Sequence, residues 1–122
     1  MKKILYIIVA LLVVAGIIWL IVTPGKPSKY DDFAKCIKDS GAIFWGAFWC
    51  PHCQKQKAMF GSAQKLLPYV ECSNPDGASQ NQVCNDAKVS GYPTWVFPNG
   101  TRLTGEQTFE DLAKNSSCVL PQ

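Results

Sequence analysis

No charged residue falls between Ile4 and Val22, so that run has no polar face to turn toward water and does not read as a surface helix. Beyond it, no surplus of basic charge is left. Four of the 12 Lys and Arg residues, Lys2, Lys3, Lys26 and Lys29, lie in the first 30 positions, leaving eight against all nine Asp and Glu, a net charge of −1 for residues 31–122. A nucleic-acid partner therefore lacks electrostatic support. A second Cys-x-x-Cys is missing too, and the one histidine, His52, lies inside the only such pair. A structural zinc site is thus short of ligands, and neither a metal nor a cofactor is expected. The 122 residues leave no room for a second full domain, and there is no internal repeat or low-complexity tract.

What is present starts with ILYIIVALLVVAGIIWLIV, residues 4–22, long enough to cross a bilayer as a helix. A cleaved signal and a retained anchor compete for it. A signal's apolar core is about 7 to 15 residues long; this run is longer and leads into TPGKP, which favours an uncleaved anchor. Lys2 and Lys3, with no acid beside them, favour a cytoplasmic N-terminus, although Lys26 and Lys29 beyond the run nearly balance them. The cysteines add to the case. All six, Cys36, Cys50, Cys53, Cys72, Cys84 and Cys118, follow the apolar run, and an even count in a small exported domain reads as a disulfide framework. The expected organisation is an anchor over residues 1–22 in contact with membrane lipid, a linker TPGKPSKY over 23–30, and one domain over 31–122 on the exoplasmic side, periplasmic or extracellular.

Within the domain, Asp31 is a candidate N-cap for a helix bearing Phe33, Ala34 and Ile37 and ending at Ser40-Gly41. Ala42 to Ala47 is continuously apolar, as a strand buried on both faces would be. Pro51 suits the first turn of a helix extending to about Leu67, with Met59, Ala63, Leu66 and Leu67 at helical spacing before Pro68. A strand at Tyr69–Cys72, a helix over Gln80–Lys88, a hairpin of Thr94–Phe97 with Thr101–Leu103 around Pro-Asn-Gly, and a helix over Thr108–Lys114 complete the order. The alternation predicts an α/β fold, a mixed sheet flanked by helices.

The stretch GAFWCPHCQKQ carries the chemistry. Cys50 and Cys53 admit a closed structural disulfide, whose two-residue loop would stabilise little, a pair of inert buried thiols, or a redox centre. Trp49 and Pro51 frame them as a strand-to-helix turn rather than a core face. At a helix N-terminus, unpaired N–H groups and the helix dipole favour a Cys50 thiolate, so its pKa should fall, and Cys53, one turn deeper, becomes the resolving thiol. A protonated His52 would favour the thiolate further, and an easily formed thiolate makes the disulfide a stronger oxidant; His52 also reads as an ordinary exposed loop residue.

GAIFWGAFWCPHCQKQK, followed by LPYVEC, GYPTW and the PNG turn, resembles the thioredoxin fold, and the Pro-His dipeptide resembles the DsbA type of disulfide oxidase. Residues 34–114 are most similar to the thioredoxin-like domain that accompanies bacterial homologues of vitamin K epoxide reductase. The resemblance implies that Cys50 attacks and Cys53 resolves, that Pro93 follows a cis peptide bond, and that Tyr92, Pro93 and Thr94 hold substrate backbone beside Trp49. Tyr92-Pro93-Thr94 also reads as a plain strand-entry turn.

The resemblance further implies that the first and last helices of the domain are neighbours, pairing Cys36 with Cys118 and leaving Cys72 with Cys84 across the SNPDGAS loop, as structural bridges or, for the second pair, as another redox couple. One departure stands out. Relatives commonly carry an acid six positions before the first cysteine, and here that position is Phe44, so Lys55, Lys57 or water would have to move the proton. The expected activity is a thiol-disulfide oxidoreductase that oxidises protein thiols and is itself reoxidised by a membrane partner of the vitamin K epoxide reductase type or another quinone-linked enzyme. The alternatives are a tethered reductant or isomerase, and a non-catalytic binding module.

Overall fold

The apolar run does become a helix. In the computed structural model, which describes residues 1–23 and 25–122, α1 spans Lys2–Val22 and buries none of its side chains. It is the one helix among the described residues long and apolar enough to cross a membrane. Its end is set before the linker prolines act: the Thr23 backbone turns extended and its hydroxyl donates to Trp19 O at 2.9 Å. Pro24 lies outside the described residues.

The domain opens with α2, Asp31–Asp39, whose Phe33, Ala34 and Ile37 are buried. Tyr30, not Asp31, occupies the N-cap. Asp31 is already helical, and its carboxylate accepts the Ser28 N–H at 3.2 Å from inside the first turn, because the chain enters through a Ser28–Asp31 turn. Strand β1, Ile43–Gly46, follows and lies inside a four-stranded sheet of order β2-β1-β3-β4. Strand β2, Tyr69–Glu71, runs parallel to β1, while β3, Thr94–Val96, and β4, Arg102–Thr104, are antiparallel neighbours. This is the mixed, helix-flanked sheet expected from the alternation of patterns.

The continuous apolar reading of β1 has a clear cause. Phe44 and Trp45 point to opposite faces, as strand alternation requires, and each face is covered. Phe44 and Trp95 pack with Phe33, Ile37, Phe60 and Leu112, whereas Trp45 packs with Cys72, Cys84 and Val89.

The single helix expected from Pro51 to Leu67 is instead two pieces: α3, Pro51–Ala58, and a 3₁₀ turn, Gly61–Leu66. Gly61 adopts φ +55°, a left-handed conformation that glycine enters at little cost. The break delivers Phe60 into the core, stacked on Phe33 at 5.9 Å and edge-on to Phe109 at 5.0 Å. Met59 stays partly exposed. The remaining elements are α4, Gln82–Asp86, capped by Asn81, and α5, Phe109–Ser116, capped by the Thr108 hydroxyl accepting Asp111 N–H at 3.1 Å. The Pro98-Asn99-Gly100 turn closes the β3–β4 hairpin with Gly100 at φ +84°.

Candidate functional site

Strand β1 runs from the sheet into a turn in which Cys50 N–H donates to Ala47 O at 3.0 Å. Cys50 is the N-cap of α3 and Pro51 its first residue, where a missing N–H costs nothing. The Cys53 N–H, one of the helix's orphan donors, points at Cys50 Sγ at 3.4 Å, and Sγ–H donates to Tyr92 O at 3.7 Å. Both thiols are unbridged. Cys53 is the deeper of the two, with 1% of its surface exposed. Burial first, then its hydrogen bond with Cys50, push the Cys53 thiol up to about 12, opposed by the Ala47 backbone and the Lys57 cation. The pair is asymmetric: Cys50 caps the helix tip and receives a backbone N–H, and Cys53, one turn deeper, is held as a thiol by burial.

Packing brings most of the expected partners to this tip. The Tyr92–Pro93 peptide is cis. The Tyr92 ring meets the half-exposed Trp49 edge-on at 5.9 Å, and its hydroxyl donates to Gln80 Oε1. Burial, with the charges of Glu71 and the two cysteines, raises its pKa. Trp49 Nε1 donates to Ser73 Oγ at 3.0 Å. Thr94 is different. Its hydroxyl turns inward to Gly91 O at 2.8 Å and the side chain is buried. His52 is exposed and pairs through Nδ1 with Glu106 Oε1 at 2.6 Å, a surface contact that contributes little to stability. Nothing local in the sequence singles out Glu106, 54 positions away.

Beneath the cysteines Phe44 stacks on Trp95 at 4.5 Å and meets Tyr69 edge-on at 5.1 Å. The parallel register that sets Gly46 against Glu71 brings three polar groups there instead. Glu71 Oε1 accepts N–H bonds from Phe48 at 3.1 Å and Ser73 at 2.9 Å, while Oε2 accepts the Tyr69 hydroxyl at 2.8 Å. Lys57 Nζ sits 3.2 Å from the centre of the Tyr69 ring, a cation–π contact. Burial pulls the Lys57 pKa down, against Glu71 and Cys53, which hold it up. Burial and the Glu71 bond raise that of Tyr69. Lys55, the other candidate, is exposed on the outer side of α3.

The other cysteines form two bridges, Cys36–Cys118 and Cys72–Cys84, with Cα separations of 6.0 and 5.5 Å. Cys72 and Cys84 are wholly buried, which shuts an attacking thiolate out. No cluster of His, Cys, Asp or Glu suited to a metal ion occurs among the described residues.

A family model described as thioredoxin matches residues 26–117. Among curated proteins, the chain is 44% identical over 94 residues to the thiol-disulfide oxidoreductase LTO1 of Arabidopsis thaliana, covering 73% of this chain and 24% of that protein. It is 32% identical over 91 residues to the thioredoxin domain-containing protein 5 homolog of Drosophila melanogaster, covering 66% and 21%. It is also 38% identical over 63 residues to the probable protein disulfide-isomerase ER-60 of Schistosoma mansoni, covering 48% and 13%. The chain spans about a quarter or less of the length of each of these relatives.

Proposed function

The chain belongs to the thioredoxin family, and from that membership we propose that it is a thiol-disulfide oxidoreductase, anchored in a membrane by α1, that oxidises cysteines of exported proteins through Cys50 and Cys53. The observation that carries this reading is the asymmetry of the pair. Cys50 Sγ caps α3 and receives the Cys53 N–H, while Cys53 is buried with its thiol pushed up to about 12. In the oxidising direction a substrate thiolate attacks Cys50 Sγ, a new S–S bond forms, the Cys50–Cys53 bond breaks, and Cys53 leaves with the electron pair and takes up a proton. A second substrate thiolate then releases Cys50, so the substrate is oxidised and the pair reduced.

A protonated His52 would favour the reduced thiolate form and with it the oxidase direction, while its contact with the Glu106 carboxylate at 2.6 Å offsets that charge. Tyr92, Pro93 and Trp49 border the attacked sulfur, where substrate backbone would lie. Reoxidation is assigned to a membrane partner of the vitamin K epoxide reductase or another quinone-linked type, supported by the sequence resemblance and by α1, which would keep the domain at the lipid surface on the exoplasmic side.

Equilibrating the full chain with glutathione tests the direction. An oxidase should lie well above thioredoxin's potential of about −270 mV, toward the roughly −120 mV of a strong oxidant. A value near thioredoxin's would assign the protein to reduction instead. An intermediate potential would favour disulfide isomerisation, the activity for which the Schistosoma relative is named. The Cys53→Ala protein should trap substrates as mixed disulfides on Cys50; if it traps none, the domain is a binding module and the cysteine pair is idle.

A further inference from the structure

Resting on that oxidoreductase reading, we propose that Lys57, seated on the Tyr69 ring and backed by Glu71, is the group that exchanges the proton of Cys53, in the place left vacant by Phe44. Three geometric facts support it. Lys57 follows Cys53 by four residues on α3, so the two side chains share a helix face. A Cβ placed on Gly46 would come 2.7 Å from Tyr69 Cε2 and 3.0 Å from Cys53 Sγ, so ring and thiol occupy the same space above Gly46. The ammonium is then held 3.2 Å from the centre of that ring. Phe44, stacked on Trp95 and edge-on to Tyr69, leaves no carboxylate under the thiol.

The titratable groups facing Cys53 are Cys50 at the cap of α3, Lys57 from α3, Tyr69 from β2 and Tyr92 from the turn before β3, with Glu71 of β2 behind Lys57 and the tyrosines. Of these, Glu71 is engaged by two backbone N–H groups and the Tyr69 hydroxyl, and both tyrosines hold their protons more tightly than usual. Lys57 alone is shifted toward easier proton release.

In the oxidising direction the Lys57 ammonium gives its proton to Cys53 Sγ as the Cys50–Cys53 bond breaks, and solvent reprotonates the amine. In the reverse direction the free amine takes the Cys53 thiol proton while Cys53 Sγ attacks Cys50 of the mixed disulfide and expels the substrate thiolate. Burial, the first cause of the raised Cys53 pKa, persists in the mixed disulfide and holds Cys53 as a thiol, so the step needs a base.

The test is a single turnover of the reduced full chain in detergent with oxidised glutathione, quenched in acid and read by mass. Cys50 attack forms the glutathione adduct; Cys53 resolves it. Two variants separate proton transfer from charge: Lys57→Met keeps an unbranched stem on the ring, and Lys57→Arg keeps a cation that does not deprotonate. Both should form the adduct at the wild-type rate yet resolve it about 10²-fold more slowly at pH 7. Wild-type resolution should level off above the Lys57 pKa, while the variants keep accelerating with pH and close the gap. Wild-type resolution in Lys57→Arg would overturn the proposal by reducing Lys57 to a fixed charge, and unchanged resolution in both variants would overturn it outright. If Cys53→Ala forms no adduct, the oxidoreductase reading itself fails, separately from the role of Lys57.

Discussion

Replacing Gly46 by alanine should damage the domain in a way that can be worked out from the packing. The added Cβ meets Tyr69 Cε2 at 2.7 Å, closer than real Cβ contacts come, and Cys53 Sγ at 3.0 Å, tighter than most of them. The ring has little freedom to retreat: Phe44 lies edge-on to it, Lys57 covers one face, and its hydroxyl is tied to Glu71. Cys53 is anchored by a short side chain in the first turn of α3. An overpacked core position costs about 1–3 kcal/mol, and release of the ring would forfeit the Tyr69–Glu71 bond, which contributes about 1.5–3 kcal/mol as a bond to a charged group. Partial relaxation along one route or the other sets the expected loss near 2–3 kcal/mol. Gly91→Ala is the control, because its Cβ would meet only Thr104 Cγ2 at an ordinary 3.6 Å. Urea unfolding of both proteins, with cysteines reduced and the two bridges intact, measures the difference. If Gly46→Ala unfolds within about 0.5 kcal/mol of the Gly91→Ala protein, a scatter usual for neutral substitutions, the crowding above Gly46 is refuted.

Three further outcomes follow from the site and its supports. Because the folded state raises the Cys53 thiol from 9.0 to about 12, the folded reduced protein binds more protons than the unfolded chain between those values. Its stability relative to the oxidised form should therefore be intact below about pH 9 and fall, by at most about 1.4 kcal/mol per pH unit, as pH rises toward 12; paired urea titrations of the two redox forms check this. Gln56 is wholly buried, donates to Gln107 O and accepts from Gln107 N–H, so Gln56→Ala should lose about 2–4 kcal/mol in thermal or urea unfolding by stranding that backbone. The Cys72–Cys84 bridge closes a separation of 12 residues; replacing both cysteines by alanine should cost about 3 kcal/mol, and mass mapping after mild reduction should find this buried bridge intact while Cys50 and Cys53 are reduced.

Much of the frame is legible along the chain because its causes are local. The unbroken apolar run of α1, the doubly buried β1, the Asn-Gly hairpin and the strand-to-helix turn at Trp49–Pro51 each depend on neighbours within a few residues. The helix break at Gly61 escaped because Met59, Ala63, Leu66 and Leu67 keep helical spacing, yet Phe60 gains more by entering the pocket of Phe33 and Phe109 than by continuing the helix. The cap misplacement has a similar origin: the Ser28–Asp31 turn, outside the helix, decides which residue starts it.

The site divides the same way. Sequence alone determines that two thiols stand one turn apart at a helix start and that no acid occupies position 44, since both are matters of spacing. What surrounds them depends on contacts between distant segments: Tyr92 O at Cys50, 42 residues away, Glu106 at His52, and the Lys57–Tyr69–Glu71 group under Cys53. These arise because one parallel register places Gly46 beside Glu71 and because both faces of the sheet must be covered. Helical and strand periods report which side of an element is apolar; only the tertiary packing decides which elements meet there, and so which polar groups are carried to the thiols.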